Sequence, residues 1–294
     1  MCQYLCQLFL DLRCTICQIK ESLLITLLDL MSMIKLYKQA IVVMEKAFVI
    51  LESTIERPKF VQRGSYQVFR YETNSIKAAV IQKSARLISG LNASLILLEH
   101  GFIQELGVIF RTIDEFKEDI FFLCEAIRNN EITDLHKEFL EYFYMEEFDK
   151  PDNPLLSEQK RPSIPRKKIL AAISGIKEND LNPSDSQEIF RTINKAYSGY
   201  VHGASNHILE MYGGQPPKFY LSGMSGTPRI NESVKHCWNY IYRGLISIMM
   251  VALSFGQNEL IKELYEFRDY FEAESGKTHW EHPEKLIKNL KKKV

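Results

Sequence analysis

The chain of 294 residues lacks a net charge: 37 lysines and arginines balance 37 aspartates and glutamates. No global field exists to draw it onto nucleic acid or an anionic membrane, so any such binding needs a local patch. It also lacks a long apolar run. Leu245 to Leu253, broken by Ser247, is among the longest, far short of the roughly 20 residues that cross a bilayer. No membrane partner is expected. Cysteine is sparse and lopsided, with Cys2, Cys6, Cys14 and Cys17 at the start and Cys124 and Cys237 alone in helical patterns. That is no secreted disulfide framework, and a cytoplasmic protein is expected. The chain contains no phosphate-cradling glycine loop, no HExxH pair and no GxSxG elbow, which removes the commonest nucleotide, zinc-protease and hydrolase signatures. No cofactor is expected.

What the chain has is apolar residues, 46% of the total, enough for a sizeable core. They recur at helical spacing over about 34–55, 74–99, 102–128, 132–148, 168–173, a stretch opened by "NPSDSQEIF", 231–255 and "NELIKELYEFRDYFEAE". No sustained alternation marks a strand, and "ERPKFVQRGSYQVFR" reads as a connecting loop. The expected fold is all-α, a bundle of seven or eight helices. Residues 34–275 read as one domain, with a basic, proline-broken linker near 151–167 and a lysine-rich tail over 276–294. Residues 1–33 differ in composition and read as an over-extended gene start or an extra helix, since Met31 and Met33 offer later starts.

Two helices carry candidate chemistry. In "VIFRTIDEFKEDIFFL", residues 108–123, Asp114, Glu115 and Glu118 each fall within about 60° of Arg111 around the helix, opposite the apolar stripe. Val108 and Phe122 share that charged face, so a plain solvated surface does not explain it. Two readings stand: an exposed Arg111–Glu115 pair worth about 0.3 kcal/mol, or a covered polar network.

The second helix holds "GYVHGASNHILEMYGG", 199–214. If it is continuous, Lys195, Ser198, His202 and Asn206 line up at successive turns, and Gly199 and Gly203 leave room for a second backbone or a ligand. A histidine there suits general acid or base work, since the side chain type titrates near neutrality. It equally suits a helix crossing with His202 hydrogen-bonded to a neighbour. His207 is five residues on, turned away by about 140°, so the pair does not face one metal. Cys14-x2-Cys17 has no second pair, and His279 and His282 have no obvious partners. No metal site is expected.

The Arg111-x3-Glu115 helix and the later "YSGYVHG" together resemble the HEPN superfamily, helical-bundle domains of bacterial toxins, antiphage systems and nucleotide-linked proteins. The resemblance covers about 75–255. It implies a HEPN-like core, a homodimer, and a site of Arg111, Glu115 and His202, flanked by Lys195, Ser198, Asn206 and Asp114, that binds RNA or a nucleotide. It also implies metal-independent endoribonuclease activity, which in catalytic members uses Arg-x4-6-His. Here the arginine preceding His202 is Arg191, eleven residues and about 16 Å back. Arg229-x6-His236 is the literal match, at a helix start. The rival expectation is a non-catalytic helical interaction module with a structural Arg111–Glu115 pair. A third uses the basic linker, Lys160, Arg161, Arg166, Lys167 and Lys168, and the tail Lys291 to Lys293 as phosphate contacts.

Overall fold

The structure, a computed structural model, describes residues 30–174, 192 and 195–277. It is all-α in class, with nine helices and two small hairpins among the described residues. Helix α1 spans 30–52. A hairpin of β1 (Lys59–Arg63) and β2 (Tyr66–Arg70) follows, then α2 (Ile76–Glu99), α3 (Ile103–Arg128), α4 (Asp134–Tyr144) and α5 (Arg166–Ser174). The described part of helix α6 includes 195–201. The short α7 (Ser205–Ile208), strands β3 (Tyr212–Gly213) and β4 (Lys218–Phe219), α8 (Arg229–Ser254) and α9 (Asn258–Ser275) complete the order.

Helices α2, α3 and α8 pack on one another, with α9 and α1 against α8 and α5 on α3. Leu87 and Leu91 of α2, Ile120 and Leu123 of α3, and Leu245, Ile248 and Val251 of α8 are sealed from solvent in one core. Gly244 permits the close approach, since a Cβ there would meet Leu91 Cδ1 at 2.5 Å. Helix α2 starts on the Ser75 hydroxyl, which accepts the Ala78 amide. It ends as the sequence implies: Gly101 takes φ +77°, and the Gly101 and Phe102 amides donate back to the Leu98 and Leu97 carbonyls. No helix of the described residues is long and apolar enough to cross a membrane.

Two local expectations fail. Residues 59–70 form a hairpin instead of a loop: Gly64, at φ +56°, and Ser65 make the two-residue turn, and Phe60 packs on Phe69 at 3.9 Å. Asp152 fastens the turn by accepting from the Ser65 amide and hydroxyl. The helix of "YSGYVHGASNH" is broken. Gly203 sits at φ +64° and the Ala204 amide donates to the Gly199 carbonyl, which closes α6 before α7 begins. Ile189, Arg191 and Ile193 upstream of it lie outside the described residues, as do the four early cysteines, His279, His282 and the lysine tail.

Candidate functional site

The charged face of α3 is covered, though not around Arg111 and Glu115. Asp114 is fully buried. Its Oδ2 accepts from the Tyr240 hydroxyl at 2.8 Å, and its Oδ1 is ion-paired to Arg243, both from α8. Tyr240 stacks on Phe110 at 3.8 Å and an interplanar angle of 3°, and the Arg243 guanidinium lies over the Tyr240 ring at 4.8 Å. Burial and the Asp114 carboxylate push the Tyr240 phenol far above its ordinary range, so it stays a neutral donor. Burial opposes the Arg243 charge, yet Asp114 raises its pKa overall.

One turn on, Glu118 and Asp119 are buried and both pair with Arg166, the first residue of α5. Lys83 of α2 reaches the other Asp119 oxygen at 2.8 Å, with its ammonium 5.0 Å from the Phe143 ring. Between the two networks, burial and repulsion from Arg243 push the Lys117 ammonium down to about 7, against the pull of Asp114 and Glu118.

Arg111 and Glu115 do pair, at 2.8 Å between Nη1 and Oε1, but Glu115 keeps 42% of its side-chain exposure against 20% for Arg111. The buried Arg111 Nη1 is close to that carboxylate without being aligned to donate to it, so it makes no hydrogen bond. Two buried networks and one half-exposed pair thus stand where the charge pattern leaves open either an exposed pair or one covered network.

Helix α6 lies on α3 through Tyr197 and Tyr200. Tyr197 meets Phe110 edge-on at 5.7 Å, and the Tyr200 ring occupies the space that a side chain on Gly107 would fill. The Tyr200 hydroxyl donates to Glu210 at 2.8 Å. Burial, then Asp114, raises the Tyr197 pKa to about 12. The glycine notch is filled from within: a Cβ on Gly199 would lie 2.2 Å from the His207 ring, which packs edge-on against Tyr200. Gly203 ends the helix and opens no notch. Exposed Asn206 leaves the Lys195–Ser198–His202 row because α6 has stopped, and its side chain meets His207 at 3.2 Å.

His202 is exposed, and among the described residues only its backbone is tied, to the Ser198 carbonyl. Lys195 is exposed and Ser198 half-buried. Among the described residues, no hydrogen bond or ion pair links His202, Lys195 or Ser198 to Arg111, Glu115 or Asp114. Since His202 is two residues past Tyr200, about 200° around the helix, it points away from α3. Arg229 bridges to Glu210 at 3.5 Å and His236 is exposed. Arg161 pairs with Glu147, and Arg166 is absorbed into the α3 network, so neither is a free phosphate contact.

Sequence reasoning missed Arg243, Tyr240 and Lys83, and gave Arg166 to a phosphate contact in place of the α3 network. Arg243 left a signal, as the lone charge in the apolar run from Tyr240 to Ala252. Among the described residues no group of three or more His, Cys, Asp or Glu could hold a metal ion. Comparison with family models, with curated proteins and with solved structures finds no match to this chain.

Proposed function

We propose that the protein binds the phosphate of an RNA or a nucleotide at Arg111, on the part of the α3 charged face that the cross-helix bridges leave open. The carrying observation is that Arg111 meets a half-exposed carboxylate of its own helix, whereas Arg243 and Arg166 are bridged to buried carboxylates across helices. A phosphate meets a guanidinium in two-pronged geometry. Glu115 steadies the guanidinium from one side and is itself 42% exposed, against 20% for Arg111. The HEPN resemblance adds the remainder of the reading: a cytoplasmic homodimer, with ribonuclease action as its furthest extension. In that extension His202 serves as acid or base. Because His202 points away from α3 in its own chain, the pairing of Arg111 with His202 falls between two copies.

Fluorescence anisotropy with a labelled single-stranded RNA, and separately with a nucleoside triphosphate, tests the reading. Arg111→Ala should weaken binding tenfold or more, and wild-type affinity should fall as salt rises. Equal affinity in Arg111→Ala would overturn it. His202→Ala should abolish RNA cleavage without changing the melting temperature. The non-catalytic interaction module is the second reading, favoured by the saturation of Asp114, Glu118 and Asp119 with partners on other helices. It predicts no binding of either probe.

A further inference from the structure

Helix α4 is lightly anchored, and one of its two anchors titrates. Of its 11 residues only His136 and Phe139 are buried, and both lie against Phe122 of α3. The His136 ring stacks on Phe122 at 4.0 Å and an interplanar angle of 11°. Each ring nitrogen is committed. Nδ1 accepts the Thr133 amide at 3.2 Å, with the Thr133 hydroxyl 2.7 Å away, while Nε2 lies 3.2 Å from the Phe122 carbonyl. Only the neutral ring that carries its proton on Nε2 satisfies both backbone groups, since the amide donates and the carbonyl accepts.

A proton added at Nδ1 has three consequences. The Thr133 amide then faces a donor and loses its acceptor, which undoes half of the capping box that starts α4. A positive charge enters the first turn of the helix, the end that favours negative charge. That charge also sits in a residue only 7% exposed. Burial holds the His136 pKa below the ordinary histidine range, against the pull of the Phe122 carbonyl and of Glu131 in the exposed turn before Thr133. The other charges on the elements around the ring are paired. Asp134 and Lys137 of α4 hold each other, Glu138 bonds Tyr142, Glu118 and Glu125 of α3 hold Arg166 and Arg128, and Lys83 of α2 holds Asp119.

We propose that α4 is an acid-released clasp: as pH falls below neutral, a proton on His136 Nδ1 unseats its first turn, and the β1–β2 hairpin loosens with it. The hairpin follows because the chain leaving α4 carries its holdfasts, Glu146 on Arg70 and Asp152 on Ser65. Since the folded ring titrates below the unfolded one, the hold of α4 is complete above the ordinary histidine value of about 6.5 and is lost as pH falls through the folded one. The clasp uses no residue of the Arg111 site and stands or falls apart from that reading.

Amide hydrogen exchange on the full chain, read by NMR at about pH 7.5 and about pH 5 with α2 as internal reference, tests it. Relative to α2, protection in α4 and in the hairpin should fall at least about threefold, and by at most about tenfold per pH unit for one proton. His136→Gln, whose amide oxygen accepts the Thr133 amide in the same box, should keep the protection and lose its pH dependence. In the wild type, the ring nitrogen shifts of His136 should report the Nε2–H tautomer and share their titration midpoint with the loss of α4 protection, a readout that stands even where His136→Gln fails to fold. Equal α4 protection at both pH values, an undiminished loss in His136→Gln, or a ring protonated on Nδ1 at neutral pH would overturn the clasp. A hairpin that keeps its protection while α4 loses it would overturn the hairpin's part.

Discussion

Asp114 and Glu115 are neighbours on one helix, and they do opposite things. Asp114 is sealed between α3 and α8 with a guanidinium and a phenol on its two oxygens. Glu115 holds one arginine of its own helix and remains 42% exposed. A buried carboxylate stripped of its partner cannot recover the lost interaction from water, whereas a half-exposed one can. The lesson is that position around α3, to within one residue, separates charges that fasten helices from charges free to meet a ligand.

The sharpest way to break that contrast is Arg243→Ala, which leaves Asp114 buried and unpaired and should cost about 3–5 kcal/mol in urea unfolding. Arg166→Ala, which removes one partner from Glu118 and Asp119 and leaves Lys83 beside Asp119, should cost about 3 kcal/mol by the same measurement. A pH titration of stability sharpens it further. The folded Lys117 titrates at about 7, below an ordinary lysine. The unfolded chain therefore binds the extra proton between pH 7 and the ordinary lysine range, so stability should rise with pH across that window, by at most about 1.4 kcal/mol per unit. Lys117→Met should flatten that slope. At the small end, Glu115→Gln should cost about 0.5 kcal/mol or less, because it removes only a half-exposed pair within one helix.

The major helices were legible because α2, α3 and α8 repeat apolar residues at threes and fours over 24 to 26 residues. The β1–β2 hairpin was not, because its strands are five residues each and largely exposed, with no buried face to impose alternation. The break in α6 hides for another reason. Gly203 fits inside a helix as easily as past its end, and only its positive φ and the Ala204 amide bonded to the Gly199 carbonyl settle which. The charged face of α3 was legible as either an exposed pair or a covered network, and the identity of any cover was not. Arg243 is 129 residues from Asp114 and Arg166 is 47 from Asp119, and no spacing rule spans such distances. The adjacent charges therefore led to Arg111–Glu115, a pair that does exist but is not the buried one.

A double-mutant cycle by urea unfolding tests the division of the α3 face most directly, run once on Asp114 with Arg243 and once on Arg111 with Glu115. The account predicts a coupling of more than about 1.5 kcal/mol for the first pair and about 0.3 kcal/mol for the second. Equal couplings, or the larger one between Arg111 and Glu115, would contradict it.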